Sequence, residues 1–553
     1  MSKTLTSTIA ARDGAPARDA LARLTPLGWR GGLIALVGGL VASFVLVGYF
    51  VIYWRNADMD FMVVYSALAA NAGKPIAFFD HPAYITILSV EWWFTLLHRI
   101  GLLDAWSLSR IPSATDAAAF DAAMTHAVRA GRVLSFAIAV IFILAFAALA
   151  RRLTRDWRLA LLATLAFAFS GGMILQMRIL RSEMIASYLV ILPLMALMIA
   201  AREASRWRPL IFAAAAISCM IALENKVHAI LLIAALPVLV VPCGRPEAAS
   251  VEFWRNGAGR WGAVAAAALV ALVLALMARP LDAAGLDLGN LKAADLSPLL
   301  LGTTGLYQAG LVAWIALWMI VFARIWRVSA AETIAALAMV VAGAAAGLLV
   351  LDLQYNPVTI SIVLNPLEKM FTIANMLTAP SQAAKPAAGG GAGSIVVLLF
   401  EGVLGVLRRY TFILYTSPRP TVFLTWLVFP GIALAWRRGE RQVALQAALL
   451  MSAAIGIDAL GMQRNLKPEY FNFTDPLIVL AGVVLLERMR DLRYRRLAYP
   501  IGVALVALHI GVSQAEPVRH MLKREAAADG ICDWNQAYMP LLPLPWCDLP
   551  PKR

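Results

Sequence analysis

Long apolar runs limit what this chain can fold into. Runs of roughly 17 to 22 mostly apolar residues recur between residues 31 and 515, and a helix of that length crosses the hydrocarbon core of a bilayer. The 553 residues are 61% hydrophobic and 15% charged, whereas a soluble protein is about half apolar and about a quarter charged. The sequence therefore predicts an all-α, polytopic integral membrane protein.

The basic residues give the expected topology. Lys and Arg cluster between apolar runs, for example at Arg151-Arg152 and Arg437-Arg438, and cytoplasmic loops carry such an excess. The net charge of +15 therefore reflects topology, and we exclude nucleic acid as a partner. An odd number of crossings, about thirteen, places these clusters inside and the C-terminus outside. The expected spans lie near 31–53, 131–150, 158–175, 183–201, 209–223, 226–242, 261–279, 304–323, 332–352, 421–436, 442–460, 475–488 and 497–515.

Three regions follow from this topology. Residues 1–29 are polar, Ala-rich and basic, which predicts a disordered cytoplasmic tail and no cleavable signal peptide. Residues 30–515 form the transmembrane domain, and residues 516–553 form a short outer tail. Two long outer segments interrupt the domain, at 54–130 and 353–420. Each contains a stretch suited to an interfacial helix, Ala83–Leu103 and Ile395–Leu407.

Two of the four cysteines, Cys532 and Cys547, lie in the outer tail. An oxidising compartment favours a disulfide between them. In the chain-entropy model, closing a loop of this size is worth roughly 3 kcal/mol.

An acidic pair follows the first span. Asp58 and Asp60 lie just beyond the expected membrane edge, at the start of the first outer segment. Such carboxylates suit a general base or a metal ligand. Asp60 is also a candidate N-cap for the helix that begins near it.

Further polar groups lie at the same expected face, between apolar runs. Ionisable groups at a membrane edge are costly unless they are paired or used, and basic groups there suit a lipid phosphate. The opposite face shows only arginine clusters, so the asymmetry indicates a site on the outer face. The remaining candidates are His81, Arg178, Arg181, Glu183, Glu224, Lys226, His228, Arg464, Lys467 and Tyr470.

The order of these motifs resembles the GT-C superfamily of polyprenyl-phosphate-sugar-dependent glycosyltransferases, in particular the protein mannosyltransferase and aminoarabinose transferase branch. The resemblance runs through residues 30–490. In chain order it is carried by the Asp58/Asp60 pair, by His81-Pro82 before an interfacial helix, by Ala-Arg-Arg-Leu at 150–153, by Arg181-Ser182-Glu183-Met184, by Glu224-Asn225-Lys226 and by the segment from Tyr470 to Pro476.

The resemblance implies a GT-C-like membrane fold and an inverting glycosyl transfer. The donor is a sugar on a polyprenyl phosphate, and the acceptor is a hydroxyl of an extracytoplasmic lipid or glycan. Asp58 or Asp60 acts as the general base, and Glu183 orients the acceptor or a basic residue. Some relatives hold a divalent metal, Mg²⁺ or Mn²⁺, at the acidic groups and others need none, so metal dependence stays open. The phosphate is held by Lys226, Arg464 or Lys467, with Arg178 or Arg181 as further candidates.

Composition favours a bacterial inner membrane, with the site on the periplasmic face, and we expect a monomer among membrane lipids. Three other functions fit a polytopic protein with polar outer loops. These are an O-antigen ligase or polymerase, a lipid-linked sugar flippase or transporter, and a non-enzymatic scaffold. A transporter predicts two related halves and ionisable groups near mid-membrane; no repeat is visible and the polar groups lie at one edge.

Overall fold

A computed structural model of the chain describes residues 15–56, 60–74, 83–202, 208–243, 304–326, 330–352, 392–412, 421–461, 468–489, 495–515 and 530–547, with a few isolated positions. Every regular element within these ranges is a helix. The structure therefore shows an all-α protein over the part that it describes. The expected span at 261–279 lies outside these ranges.

The helices of the first half follow the apolar runs closely. The predicted interfacial helix at Ala83–Leu103 is α3. The run at 158–175 is divided at Ser170, whose hydroxyl caps the second piece by accepting from Met173 N. The helices are α1 (Ala15–Phe44), α2 (Met62–Asn71), α3 (Tyr84–Arg99), α4 (Ala117–Leu153), α5 (Trp157–Ala168), α6 (Gly171–Gln176), α7 (Ser182–Arg202), α8 (Arg208–Asn225) and α9 (Ala229–Val240).

The second half repeats this agreement. The helix expected at Ile395–Leu407 is present within a longer one. A 3₁₀ turn at Pro468–Phe473 precedes the last two long helices. The helices are α10 (Thr304–Ile325), α11 (Ala330–Asp352), α12 (Ala392–Thr411), α13 (Val422–Arg437), α14 (Arg441–Gly461), α15 (Asp475–Met489), α16 (Arg495–Ser513) and α17 (Gly530–Tyr538).

Several helices have the length and composition of membrane spans. Among the described residues, five segments qualify, namely Gly28–Tyr49, Ala117–Leu153, Ser182–Arg202, Arg208–Asn225 and Arg441–Leu460, and shorter apolar helices accompany them. The apolar runs thus form several helices long and apolar enough to cross a membrane, while the total of about thirteen spans stays a prediction.

Two boundaries differ from expectation. Helix α1 begins at Ala15, inside the segment 1–29 that we expected to be a disordered tail. The reason is local, because Ala, Leu and Arg have high helix propensity and alternate in this stretch. Helix α4 has 37 residues and starts well before residue 131. At about 1.5 Å per residue it is about 55 Å long, so part of it extends beyond a hydrocarbon core of about 30 Å.

The extended end of α4 supports a separate apolar core. We call this region the cap lobe: α2, α3, the first turns of α4 and residues 530–547. Phe61, Phe94, Phe120 and Met539 are buried together in it. The other long helices share the main core of the bundle. The end of the bundle that carries the cap lobe is called the cap end below.

Small residues let two bundle helices approach closely. Gly343 and Gly347 on α11 have the Gly-x-x-x-Gly spacing that favours close helix contact in membranes. A Cβ at Gly343 would meet the carbonyl oxygen of Ala213, and one at Gly347 would meet the side chain of Met220. This packing sets α11 beside α8, the helix that ends at Asn225.

A disulfide closes the tail of the cap lobe. Cys532 and Cys547 are joined, as expected from their shared position in the tail. Beside the bridge, the ring of Trp546 lies 6.3 Å from that of Tyr53 and 6.1 Å from that of Trp54, between centroids. The tail is thereby held against the segment that follows α1.

We expect Cys532→Ala/Cys547→Ala to lower the free energy of unfolding by about 3 kcal/mol, because the unfolded chain regains the entropy of the open loop. Thermal unfolding in detergent, followed by tryptophan fluorescence, measures the effect. Reductant should destabilise the wild type and leave the double variant unchanged. Equal stability of oxidised and reduced wild type would contradict this account.

Candidate functional site

Three separate parts of the chain meet at the cap end through charged side chains. They are the start of α7, the turn between α8 and α9, and the Pro468–Phe473 turn. We call Arg181, Glu183, Lys226 and Glu469 the ion-pair cluster. Arg181, Glu183 and Lys226 were candidates from the sequence, and the structure brings them together with Glu469.

Glu183 is the centre of the ion-pair cluster. Its Oε1 lies 2.8 Å from Lys226 Nζ, and both side chains are fully buried. Its Oε2 lies 3.2 Å from Arg181 Nε. Arg181 Nη2 is in turn 3.7 Å from Glu469 Oε1. Two carboxylates and two cations thus alternate at the cap end, and Glu183 fixes the positions of both cations.

Two rings border the cluster on one side. The imidazole of His228 stacks on the ring of Tyr470 at 4.7 Å between centroids, with the planes 26° apart. Lys226 Nζ lies 5.8 Å from the centroid of the same Tyr470 ring, within the range of a cation–π contact. His228 and Tyr470 therefore belong to the same site as Lys226.

Asn225 connects the site to two other helices. Its Oδ1 accepts from the backbone N–H and the hydroxyl of Thr86, both at 3.0 Å. Its Nδ2 donates to Ser182 O at 2.6 Å. Its carbonyl oxygen accepts from Ala83 N at 3.0 Å. One side chain at the end of α8 therefore sets the starts of α3 and α7.

Asp60 is not part of the ion-pair cluster and is in a buried contact with Arg132 of α4. Asp60 Oδ2 lies 2.6 Å from Arg132 Nη2, and both side chains are fully buried. Asp60 Oδ1 accepts from Leu180 N at 3.1 Å. Burial raises the pKa of Asp60, and the charge of Arg132 and the Leu180 N–H oppose that rise. Both carboxylate oxygens are engaged in holding parts of the protein together.

The alternative role of Asp60 as an N-cap is not what the structure shows. The N-cap position of α2 is Phe61, and no side chain caps the helix. The Asp60 carboxylate bonds to Arg132 and Leu180 instead. Arg132 also donates to the carbonyl oxygens of Val51 and Ile52, so this pair fixes the chain at the end of the first span.

Arg178 has a structural set of contacts. Its Nε donates to Ile174 O at 2.7 Å, and its Nη1 donates to Val47 O at 3.1 Å. It links the end of α6 to the π-helical turn at Val45–Tyr49. The phosphate-binding role considered for Arg178 is therefore less suited to its position than to that of Arg181.

No protein-family model, no curated protein and no solved structure matches this chain.

Glu224 differs from the other carboxylates at the cap end. Its side chain is fully buried, and neither of its oxygens has a hydrogen-bond partner among the described residues. It immediately precedes Asn225 and lies two positions from Lys226. Burial raises the pKa of Tyr84 on α3, and the charges of Glu224 and Glu91 raise it further. Glu224 therefore interacts electrostatically with Tyr84.

An apolar cavity of about 190 Å³ adjoins the α8–α9 turn. Leu223 and Ile230, on either side of the turn, line its near end, and residues of α7, α10 and α11 complete the wall. Cys219 and Ile315 also line it. An apolar space of this kind suits a hydrocarbon, since an engineered cavity of about 150 Å³ binds benzene.

Four sequence candidates, Asp58, His81, Arg464 and Lys467, lie outside the described residues. Across the described ranges, no group of three or more His, Cys, Asp and Glu side chains is placed to hold a metal ion. Asp60 is therefore the described residue of the acidic pair to consider as a metal ligand, and its two oxygens are already engaged by Arg132 and Leu180.

Sequence reasoning missed two central residues. Arg132, at the start of the expected span 131–150, was not singled out, although a charged group inside an apolar run is a recognised signal of a pairing partner. Asn225 was noted only as part of a motif. Nothing in its local sequence indicates that it bonds to both Thr86 and Ser182.

Proposed function

We propose that this protein is a membrane glycosyltransferase. It transfers a sugar from a polyprenyl-phosphate donor to a hydroxyl of a lipid or glycan acceptor on the outer face of a bacterial inner membrane. The observation that carries the proposal is the ion-pair cluster beside an apolar cavity at one end of a bundle of membrane-length helices. A lipid-linked substrate needs both parts, a cationic place for its phosphate and an apolar place for its chain.

The donor phosphate is received by Lys226 and Arg181. Lys226 carries three N–H donors and Arg181 five, and Glu183 holds both cations in fixed positions. Preorganised cations stabilise the negative charge that gathers on a leaving phosphate without reorganisation during the reaction. Arg464 and Lys467 precede the Pro468–Phe473 turn in sequence and supply further positive charge.

The part of the donor's lipid chain nearest the phosphate occupies the apolar cavity. Its near end is lined by Leu223 and Ile230, which flank the turn that carries Lys226. A chain bound there places its phosphate at the ion-pair cluster. Each CH₂ group buried adds about 0.8 kcal/mol to binding.

The acceptor hydroxyl attacks the anomeric carbon from the side opposite the phosphate and inverts that centre. Its proton passes to a carboxylate. Glu183 is fully committed to Arg181 and Lys226, so its role is to position these cations. Asp60 is committed to Arg132, which leaves Asp58 as the base of the first-loop pair.

A divalent metal at the acidic pair does not fit the observed contacts of Asp60. A carboxylate whose oxygens already bind Arg132 and Leu180 N–H would have to break a buried ion pair to bind Mg²⁺ or Mn²⁺. We therefore assign no step to a metal.

The direct test is sugar transfer by purified protein in nanodiscs. Undecaprenyl phosphates that carry radiolabelled sugars are supplied with lipid and glycan acceptors, and the anomeric configuration of the product is determined. We expect transfer with inversion. Binding of a labelled donor without transfer to any acceptor would favour a flippase or transporter, and transfer of whole glycans only would favour an O-antigen ligase.

A variant that fills the cavity tests how much the lipid chain contributes to binding of the donor. Ile315→Trp places a large side chain in the cavity lining, so we expect the KM for the lipid donor to rise about tenfold or more, since about two lost CH₂ contacts amount to one decade. The control is Leu317→Trp on the same helix, where the side chain is 52% exposed. Equal KM values for the two variants would show that the lipid chain does not bind in this cavity.

A further inference from the structure

Three buried acidic side chains at the cap end can be compared directly. Asp60 has its oxygens engaged by Arg132 and Leu180 N–H. Glu183 has its oxygens engaged by Lys226 and Arg181. Glu224 is equally buried, yet neither of its oxygens is engaged by any residue that the structure describes. Glu224 alone of the three keeps its lone pairs for another molecule.

The position of Glu224 is fixed by its neighbours. Asn225, the next residue, is bonded to Thr86, Ser182 and Ala83, so the end of α8 has little freedom to move. Tight support of this kind holds a functional side chain in one geometry. The backbone of Glu224 is therefore held in place, although no described residue hydrogen-bonds to its carboxylate.

Glu224 is also close to the cations of the site. It lies two positions before Lys226, which limits the separation of their Cα atoms to about 7 Å. The cavity side chain Leu223 directly precedes Glu224, and after burial the Glu224 charge is the next cause that raises the pKa of Tyr84 on α3. The apolar wall at Leu223, the Glu224 carboxylate and the Lys226 cation thus lie within four residues of one another along the chain, so one bound lipid-phosphate sugar can contact all three.

We propose that Glu224 is the proton acceptor of the transfer, in the place that the first-loop pair would otherwise take. The inference rests on the proposed function and changes only the identity of its base. An acceptor hydroxyl bonds to a Glu224 oxygen, and its oxygen forms the new bond to the anomeric carbon. The hydroxyl proton moves to Glu224, while the bond from the anomeric carbon to the phosphate oxygen breaks and leaves its electron pair on the lipid phosphate near Lys226 and Arg181.

Replacement of Glu224 by a neutral isostere tests the role. Glu224→Gln in nanodiscs, assayed with undecaprenyl-phosphate sugars, should lower kcat by about 10²- to 10⁴-fold, the usual contribution of a general base, with the KM for the donor within a few-fold of wild type. The control is Glu91→Gln on α3, since the charge of Glu91 also raises the pKa of Tyr84. This variant should transfer sugar at the wild-type rate.

Chemical rescue distinguishes a base from a structural residue. Formate should restore part of the activity of Glu224→Ala and none of any loss in Asp58→Asn, because only the first variant leaves space for a small carboxylate beside the reacting hydroxyl. The thermal midpoint of Glu224→Gln should equal or exceed that of the wild type, since a buried ionisable group without a described hydrogen-bond partner has been removed.

Two results would overturn the inference while the proposed function stands. One is a wild-type kcat in Glu224→Gln together with an inactive Asp58→Asn, which would show that the general base belongs to the first-loop pair. The other is loss of thermal stability in Glu224→Gln with no rescue of Glu224→Ala by formate. Absence of transfer by the wild type would instead contradict the proposed function itself.

Discussion

Asp60→Asn is expected to lower the free energy of unfolding by about 3–5 kcal/mol, because it leaves Arg132 as an uncompensated buried charge. Both side chains of this pair are fully buried and 2.6 Å apart. The pair also fixes the chain at Val51 and at Leu180, so the loss should extend to the start of the cap lobe. Thermal unfolding of the purified variant in detergent measures it.

The chain offers a matched control in an exposed ion pair. Arg488 Nη2 lies 2.7 Å from Glu440 Oε1, and the two side chains are 51% and 31% exposed. A pair this exposed contributes at most about 1 kcal/mol, so Glu440→Gln should shift the thermal midpoint only slightly. If the two variants were equally stable, Asp60 would not be the structural anchor described here.

Breaking the contact between Glu183 and Lys226 is expected to have the second large effect. Lys226→Met removes one of the two cations that hold Glu183, and Glu183→Gln leaves Lys226 buried without its carboxylate. Each change should cost about 3 kcal/mol or more of stability, since a buried pair loses one partner. The double variant should recover much of that loss, because no uncompensated charge remains.

Activity should follow a different pattern from stability. Lys226→Met and the double variant are both expected to lose at least about a hundredfold in kcat, the effect of removing one preorganised group that stabilises developing charge. The double variant would then be stable and inactive. An active and stable double variant would show that the ion-pair cluster holds the helices together and does nothing more.

The sequence could predict the helices because membrane spans are local. A run of apolar residues long enough to cross a bilayer has little choice but to be helical. The run at 183–201 is thus observed as Ser182–Arg202, and the run at 332–352 as Ala330–Asp352. The tail disulfide was similarly local, since the two cysteines lie close together in sequence.

The pairing of charges could not be predicted, because it depends on how distant helices pack. Glu183 and Lys226 each stood out as ionisable residues at apolar boundaries, but nothing in either segment indicates that they meet. The sequence suggested a catalytic role for Asp60 because Asp58 lies two residues away. In the structure, the partner of Asp60 is Arg132 on α4. A carboxylate is identified as a base or as an anchor only once its partners are known.

The ion-pair cluster and the Glu224 carboxylate have different consequences for substrate recognition. The two cations and two carboxylates of the cluster balance each other in charge and hold each other in position. A donor phosphate therefore binds to cations that are already positioned. Glu224 has no such balance among the described residues. The two parts therefore suit different portions of the reaction, departure of the phosphate and activation of the hydroxyl.

The central claim is tested most directly by sugar transfer in nanodiscs from undecaprenyl phosphates that carry radiolabelled sugars. Wild type and Lys226→Met are compared with Asp104→Asn, which changes an exposed carboxylate of the first outer segment. We predict transfer by the wild type and Asp104→Asn, and its loss in Lys226→Met. Transfer by Lys226→Met at the wild-type rate, or no transfer by the wild type from any donor that it binds, would contradict the account.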